Sequence, residues 1–281
     1  MSNPTSSTPI WRYLDLAKLV GVLARGLFFT IPSALRRMDP WEGSLGELDY
    51  LESMDPVHKS PTTGPSEWKK ARANRLRELD SFGVSCWHES ATESAALWDL
   101  YVPRGLGVAI KSSQERILES LHPRDVSIHR VDYSGHHSRK LGSDPITVLT
   151  TKRPEFAHER ELRVLTQLST DEVSVVSNFY SAVEAHGRIR KIRPGHTSGP
   201  LIVPGPSIVT DDATCFDRGA PAGIHVPTNA SVLIEKLSLP PRCSYSLRRA
   251  VIDLAKQFNL PHGVVSEASM DLAPFDDTEF V

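Results

Sequence analysis

The segment 152–163 is the part of the chain richest in side chains able to do chemistry. It places four Lys or Arg side chains and three carboxylates within twelve residues. The chain then continues directly into the apolar, strand-like run 162–168. Because a solvated charge run rarely ends inside a hydrophobic core, we predict a functional site where this strand begins.

Two carboxylates of this segment are the candidate catalytic groups. In an extended chain the side chains of Glu159, Glu161 and Arg163 share one face, because they alternate with a period of two. Neighbouring carboxylates raise the pKa of one of them, which suits acid–base chemistry or stabilisation of a cationic transition state. The alternative is that Glu161 and Arg163 pair with neighbouring strands and only fix their register. The residue pattern leaves both readings open.

The stretch Ser-Cys-Trp-His-Glu-Ser at 85–90 is the second candidate, because a buried strand there ends in polar groups. Its alternative is a core strand followed by a loop that caps the next helix. We favour that alternative for Cys86, since no neighbouring cation in the sequence lowers its thiol pKa. Thr92 stands where a His-Glu-x-x-His zinc motif starting at His88 needs its second histidine, so the motifs of the sequence support no metal site.

Composition limits the remaining possibilities. With 281 residues, 40% hydrophobic and 23% charged, the chain can bury a large core. Its net charge of -2 gives no overall basic field for nucleic acid. Three widely spaced cysteines without a Cys-x-x-Cys pair argue against a disulfide framework. No apolar run is long enough to span a membrane, and residues 1–9 lack a charged leader, so we expect a cytoplasmic protein without a membrane partner.

The elements that position these candidates are strands and helices without a regular β-α-β rhythm. A strand–helix–strand unit opens the chain at 10–31, and later strands are predicted at 84–87, 105–110, 126–133, 162–168, 232–239 and 264–269. Helices are predicted at 93–101, 112–121 and 244–258. This predicts an α+β fold, a single domain over 10–270 with a mixed or mostly antiparallel sheet flanked by helices. A disordered N-terminus (1–9), a Pro/Gly-rich excursion (189–222) and an acidic tail (271–281) complete the expected organisation.

Several blocks together resemble the domain of unknown function family 2971. They occur in the family's order and cover residues 10–269 as one domain. They are Trp11-Arg-Tyr, Asp39-Pro-Trp-Glu-Gly, Ser85-Cys-Trp-His-Glu, Leu97-Trp-Asp-Leu-Tyr with Gly107-Val-Ala-Ile, Lys152-Arg with Phe156-Ala-His-Glu-Arg-Glu-Leu-Arg, and the closing helix–strand at 244–269. The family carries no settled reaction, so this resemblance implies a single domain and no activity.

A looser similarity is to one class of ADP-ribosyltransferases. That class holds NAD with an Arg on the first strand, a Ser on a middle strand and a Glu-x-Glu on a later strand. Arg12, Ser85 and Glu159-Arg-Glu161 occur here in that order. The middle strand has Ser-Cys-Trp where that class has Ser-Thr-Ser.

The similarity implies a role for each residue. Arg12 would bind the NAD pyrophosphate through its planar donor fork, and Ser85 would orient the nicotinamide ribose. Glu161 would stabilise an oxocarbenium-like state, while Glu159 would position the acceptor, a nucleotide or nucleic acid. The remaining implied residues are Tyr13, Lys152, Arg153, His158 and Arg163 for binding the cofactor, and Asp39, Trp41, Glu42 and Trp98 for the pocket rim.

The leading hypothesis is therefore NAD-dependent ADP-ribosyl transfer or NAD cleavage, in the manner of a toxin or phage-defence effector. A second hypothesis is a nuclease or other phosphodiesterase with Asp39, Glu42, Glu159 and Glu161 around a divalent metal. A third is a non-catalytic module whose charged pocket binds a nucleotide or an acidic partner.

Overall fold

The fold is known from a computed structural model that describes residues 8–49, 74–137, 139–173 and 223–269. Nine strands of these residues form one sheet with helices packed on it, which confirms the α+β prediction. Every pairing is antiparallel except that of the last two strands. The strands are β1 Ile10–Asp15, β2 Leu27–Thr30, β3 Phe82–Glu89, β4 Gly107–Ser112, β5 Ser127–Arg130, β6 Glu161–Gln167, β7 Gly223–Val226, β8 Lys236–Ser238 and β9 Val265–Ser266.

The main path of the sheet runs β5-β6-β3-β1-β4-β8-β9, and β2 and β7 form a branch from β3. The helices are Leu16–Arg25, Pro32–Met38, Ala95–Tyr101, Gln114–Leu121, Pro145–Leu149, Ala230–Leu233 and Tyr245–Gln257, with a 3-10 helix at Pro154–Glu159. Among the described residues no helix is both long and apolar enough to cross a membrane. The predicted excursion at 189–222 and the acidic tail at 271–281 lie outside the described residues.

Local signals explain most of these elements. The side chain of Asp15 accepts a hydrogen bond from the backbone N–H of Lys18, so the first helix starts where the sequence predicts. Ser113 and Ser244 cap the helices Gln114–Leu121 and Tyr245–Gln257 in the same way. At the N-terminus the carbonyl oxygen of Pro9 accepts a hydrogen bond from the Ser90 N–H. Residues 1–7 of the predicted disordered segment 1–9 lie outside the described residues.

Several elements differ from the sequence prediction, among them the helix Pro32–Met38, which is not predicted from the sequence. The predicted strand 232–239 is the helix Ala230–Leu233 followed by β8, because the Asn229 side chain caps a helical turn there. The helix Pro145–Leu149 was not predicted, although Asp144 accepts hydrogen bonds from its first two free amides. Strand β7 follows the Pro/Gly-rich region, whose weak periodicity concealed it.

The sheet branches at β3, and this branch positions the candidate residues. On the edge of β3 opposite β6, strand β1 pairs with the end at His88 and Glu89. Strand β2 pairs with the same edge only at Val84. No described strand pairs with that edge of β3 between these contacts, so β1 and β2 diverge and leave a gap beside residues 85–87.

The two faces of the sheet carry different cores. The larger core, which contains Trp87, Leu162 and Val164, packs on the helices Leu16–Arg25 and Tyr245–Gln257. The opposite face bears two smaller cores. One gathers the aromatic rings around Trp98, and the other surrounds Val84 and Leu165. Neighbouring residues of β3 and β6 therefore serve opposite faces.

Substitution of Gly26 tests the close approach that joins β2 to β7. Gly26 has φ 101°, and a Cβ there would lie 2.0 Å from the carbonyl oxygen of Val226. Gly105 also has positive φ, at 61°, but a Cβ there meets nothing within 4 Å. We expect Gly105→Ala to cost about 1–2 kcal/mol of unfolding free energy from backbone strain alone. Gly26→Ala adds a steric cost of about 1–3 kcal/mol. Urea denaturation of both variants measures the difference, and equal losses would contradict it.

Candidate functional site

The site is built around Arg163, whose side chain is fully buried in β6. Its guanidinium donates to both carboxylate oxygens of Glu42, at 2.7 and 2.9 Å. It also donates to both oxygens of Glu161, at 2.9 and 3.1 Å, and to the carbonyl oxygen of Leu149 at 2.5 Å. A buried charge is stable only when paired and hydrogen-bonded, and these contacts supply that requirement.

Lys152 joins the remaining carboxylate to this group. Its ammonium lies 2.5 Å from Glu159, 3.2 Å from Glu161 and 3.7 Å from Glu42. We call these five residues (Glu42, Lys152, Glu159, Glu161 and Arg163) the ion cluster. Two cations and three anions give it a formal charge of -1 when all are ionised.

Backbone geometry places both carboxylates beside Lys152. The 3-10 helix ends at Arg160, which is in the left-handed conformation at φ 42°, and β6 begins at the next residue. Glu159 is thus outside the strand, which corrects the prediction of one extended run through both carboxylates. The Nδ1 of His88 lies within hydrogen-bond distance, 2.5 Å, of the carbonyl oxygen of Glu159. The hydroxyl oxygen of Tyr133 accepts a hydrogen bond from the Glu161 N–H at 2.7 Å.

The two carboxylates have opposite pKa shifts. Burial disfavours the charged form of Glu161, but Arg163 and Lys152 outweigh it and lower its pKa to about 2. Burial also disfavours ionisation of Glu159, and here it outweighs the attraction of Lys152, so the pKa of Glu159 is raised. The two groups therefore differ in protonation behaviour although they share one lysine.

Arg12 lies in the gap where β1 and β2 diverge. Its guanidinium donates to the Ser85 hydroxyl at 2.6 Å and to the carbonyl oxygen of Phe28 at 3.2 Å, and it lies over the Trp87 ring. No carboxylate in the described part of the chain pairs with it. Burial lowers its pKa to about 10, so it remains a cation at neutral pH.

The residue that Arg12 contacts on β3, Ser85, and the ion-cluster residue Arg163 lie on opposite faces of the sheet. Ser85 and Trp87 share the face of the larger core, while Cys86 sits opposite Arg163 on the other face. The two groups nevertheless have common neighbours, since Cys86 and Tyr101 both interact electrostatically with Arg12 and with Glu161. The structure thus brings Arg12 and Ser85 into contact, and Cys86 and Tyr101 are the residues that neighbour both Arg12 and the carboxylates.

The loop of Asp39 and Trp41 lies next to the ion cluster. Asp39 accepts from Arg153 at 3.0 Å and from the Trp41 backbone N–H at 3.1 Å. Trp41 is 37% exposed and packs against the rings of His136 and His137. Arg153 is therefore already compensated by a carboxylate, unlike Arg12.

Two predicted site residues, Trp98 and Tyr13, lie elsewhere, and a third, His158, is exposed beside Glu159. Trp98 is buried in a core instead of lining a rim, and its ring meets Tyr13 edge-on at 5.1 Å. The Tyr13 hydroxyl oxygen accepts from the N–H of Ser94, the cap of the following helix, and burial raises its pKa to about 12. His158 is exposed and donates to the carbonyl oxygen of Glu155. Trp98, Tyr13 and His158 stand in or beside the motifs that predict the site, but motif spacing does not determine which side chains point into it.

Three residues near the site were not predicted as part of it. Tyr101 and Tyr133 lie beside the carboxylates, and burial raises the pKa of each hydroxyl. His136 lies beneath Trp41. No local pattern marks them, because each reaches the site through the packing of separate segments. In the described ranges no group of three or more His, Cys, Asp or Glu side chains is placed to hold a metal ion.

Comparison with known proteins adds no relative. No protein-family model matches the chain, and no curated protein or solved structure matches it significantly. The functional argument therefore depends on the geometry and on the similarities described above.

Substitution of Glu42 tests the dependence of the fold on Arg163. In Glu42→Gln the fully buried guanidinium loses one of its two charge partners. Removing one member of a buried pair typically costs about 3–5 kcal/mol. The matched control is Glu235→Gln, which breaks a partly exposed pair with Lys111 and should cost about 0–1 kcal/mol. Urea denaturation distinguishes the two, and comparable small losses would show that the buried network is not stabilising.

Acid stability tests the lowered pKa of Glu161. Above its ordinary pKa of 4.5 the carboxyl is ionised in both the folded and unfolded chain, so its stabilising contribution is fully present. Between 4.5 and about 2 the unfolded chain binds a proton that the folded chain does not, so stability falls with pH. Urea midpoints measured from pH 6 to pH 3 should therefore decline less in Glu161→Gln than in the parent or in the exposed control Glu155→Gln. Equal slopes would contradict the assignment.

Proposed function

We propose that this protein cleaves the N-glycosidic bond of NAD, either by ADP-ribosyl transfer or by hydrolysis. The observation that carries the proposal is the pair Glu159 and Glu161, which share Lys152 while their pKa values shift in opposite directions. Two carboxylates with different protonation behaviour are the arrangement that glycosidic cleavage uses.

Glu161 would act through its charge. It stays ionised throughout the physiological range, so it can stabilise the positive charge that develops on the ribose as nicotinamide departs. Both of its oxygens already accept hydrogen bonds from Arg163 and Lys152. We therefore assign Glu161 to electrostatic stabilisation of the ribose cation and not to covalent attack on it.

Glu159 would serve the incoming nucleophile. Its side chain is more accessible than that of Glu161, and its raised pKa brings it nearer to the range of a working base. In the proposed step the bond between ribose C1′ and the nicotinamide nitrogen breaks, and neutral nicotinamide leaves with the electron pair. An oxygen of water or of an acceptor bonds to C1′ and gives its proton to Glu159.

Arg12 supports the same assignment from the gap beside β3. It is a cation without a carboxylate partner in the described residues, held by Ser85 and by the Phe28 carbonyl. A guanidinium in that state is suited to bind a pyrophosphate. Strands β1, β3 and β6, which carry Arg12, Ser85 and Glu161, are neighbours in the sheet, and this supports the proposal that the three residues serve one ligand. Consumption of NAD would in turn suit a toxin or phage-defence effector.

The ion cluster favours this chemistry over metal-dependent phosphodiester cleavage. A divalent metal among Glu42, Glu159 and Glu161 would have to displace Lys152, whose ammonium already occupies the space between them. The positive charge that neutralises the carboxylates is thus supplied by the protein.

Release of nicotinamide from NAD tests the proposal. The purified protein should release it in the presence of cell lysate as a source of acceptors, and Glu159→Gln should lower kcat by about 10²–10⁴-fold, the usual contribution of a general base. Glu155→Gln, on the same 3-10 helix but exposed, is the matched control and should keep full activity. Thermal unfolding of each variant verifies that the fold is intact.

The role of Arg12 is tested in the same assay. Arg12→Gln should raise KM for NAD more than it changes kcat, while the exposed Arg104→Gln should change neither. The absence of nicotinamide release with and without lysate would refute the proposed reaction. Full activity in folded Glu159→Gln would refute only the assignment of the base.

A further inference from the structure

Unsatisfied polar atoms are concentrated beside the ion cluster. His136 is 1% exposed, and neither of its ring nitrogens has a hydrogen-bond partner in the described structure. The same holds for the second carboxylate oxygen of Asp39 and for the Nε of Arg153, both buried. The three side chains interact electrostatically with one another. They therefore form one polar group with unused hydrogen-bonding capacity.

Such a group is unusual, because most buried polar atoms in folded proteins have partners. The ion cluster next to it follows that rule, since every charged group there is paired. The His136 ring also lacks a hydrogen bond that would explain its inward direction. Its position is set by the backbone on either side, where Gly135 donates to the Lys152 carbonyl and the His136 carbonyl accepts from Glu47. The backbone thus keeps the His136 imidazole buried, although neither ring nitrogen has a hydrogen-bond partner in the described structure.

The cover of this group is an aromatic ring. Trp41 lies against His136 with ring centroids 5.6 Å apart and keeps 37% of its surface exposed. Its loop is firmly held, because the Asp39 side chain and carbonyl accept from the N–H groups of Trp41 and Glu42. A large, partly exposed indole on a fixed loop, packed against an unsatisfied buried imidazole, combines an apolar surface with convergent polar groups, as ligand sites do.

We propose that Trp41, His136, Asp39 and Arg153 form a recognition subsite for a planar heteroaromatic ring that carries an amino donor next to an acceptor. In this subsite the indole of Trp41 turns aside from His136 and stacks on the ligand ring. The polar edge of that ring then reaches the three unsatisfied side chains that the indole covers. A nucleobase of the adenine type and an aromatic carboxamide share this chemistry.

The hydrogen-bonding capacity matches that edge. The free oxygen of Asp39 accepts from an amino group, and the Nε–H of Arg153 donates to an acceptor atom. A neutral His136 offers one donor and one acceptor, so it can complete either contact. Because the Asp39 carboxylate already neutralises Arg153, the subsite is suited to an uncharged ring and not to a phosphate.

This subsite is argued from different residues than the proposed reaction, and it requires no turnover. If the protein does act on NAD, the subsite would hold one of the two rings of that molecule. If it does not, the subsite would still bind its ring, so a binding measurement distinguishes failure of one proposal from failure of the other.

Isothermal titration of the full chain with adenosine and, separately, with nicotinamide tests the subsite. We expect saturable binding of at least one probe, and Trp41→Ala should weaken it by about 5- to 150-fold, the effect that removal of a stacking aromatic typically has on base binding. Tyr245→Ala, at an aromatic residue that is 76% exposed elsewhere on the molecule, is the matched control and should bind normally.

A second measurement reports on His136 directly. The ring resonances of His136, assigned by their absence in His136→Gln, should shift when the binding probe is added to the folded parent protein. Binding of adenosine alone would identify a nucleobase subsite, and binding of nicotinamide alone would identify a carboxamide subsite. The proposal is overturned if neither probe binds at millimolar concentration, if Trp41→Ala binds as well as Tyr245→Ala, or if the His136 resonances do not move.

Discussion

The buried guanidinium of Arg163 is the constraint on which the rest of this structure depends. Its contacts join the loop of Glu42, the end of the helix Pro145–Leu149 and the first residue of β6. A charge in the interior is costly unless it is fully paired, so these segments must assemble together or not at all. The network accordingly fixes where β6 starts. The start of β6 in turn fixes the position of Glu161 relative to Glu159, which ends the preceding 3-10 helix.

Within this network, small differences in environment separate two chemically identical groups. Glu161 touches both cations and remains ionised, whereas Glu159 touches only Lys152 at the end of a 3-10 helix. The single left-handed residue Arg160 produces this difference, because it turns the chain between them. Across the sheet, Arg12 occupies the gap left by the divergence of β1 and β2. The site thus combines a cluster whose charged groups are all paired with a cation, Arg12, that has no carboxylate partner among the described residues.

The same contrast separates the ion cluster from the polar group around His136. In the cluster, the charged groups pair with one another. Beneath Trp41, the described part of the chain holds buried donors and acceptors without partners. Satisfied groups serve structure at little cost, while unsatisfied ones reduce stability and persist where binding uses them. The two regions meet at Asp39 and Glu42, which belong to one loop.

The sequence by itself determined the α+β class, the opening strand–helix–strand unit, the helix caps at Asp15, Ser113 and Ser244, and the concentration of charge at 152–163. These features follow from local propensity and from period-two alternation. It also marked Glu42, Lys152, Glu159, Glu161 and Arg163 individually. Only the tertiary structure decided which of them meet. Alternation within β3 and β6 sends Ser85 and Arg163 to opposite faces, and the register between strands brings Arg12 to Ser85 across 73 positions. Tyr101, Tyr133 and His136 join the site through long-range packing, which leaves no trace in residue spacing.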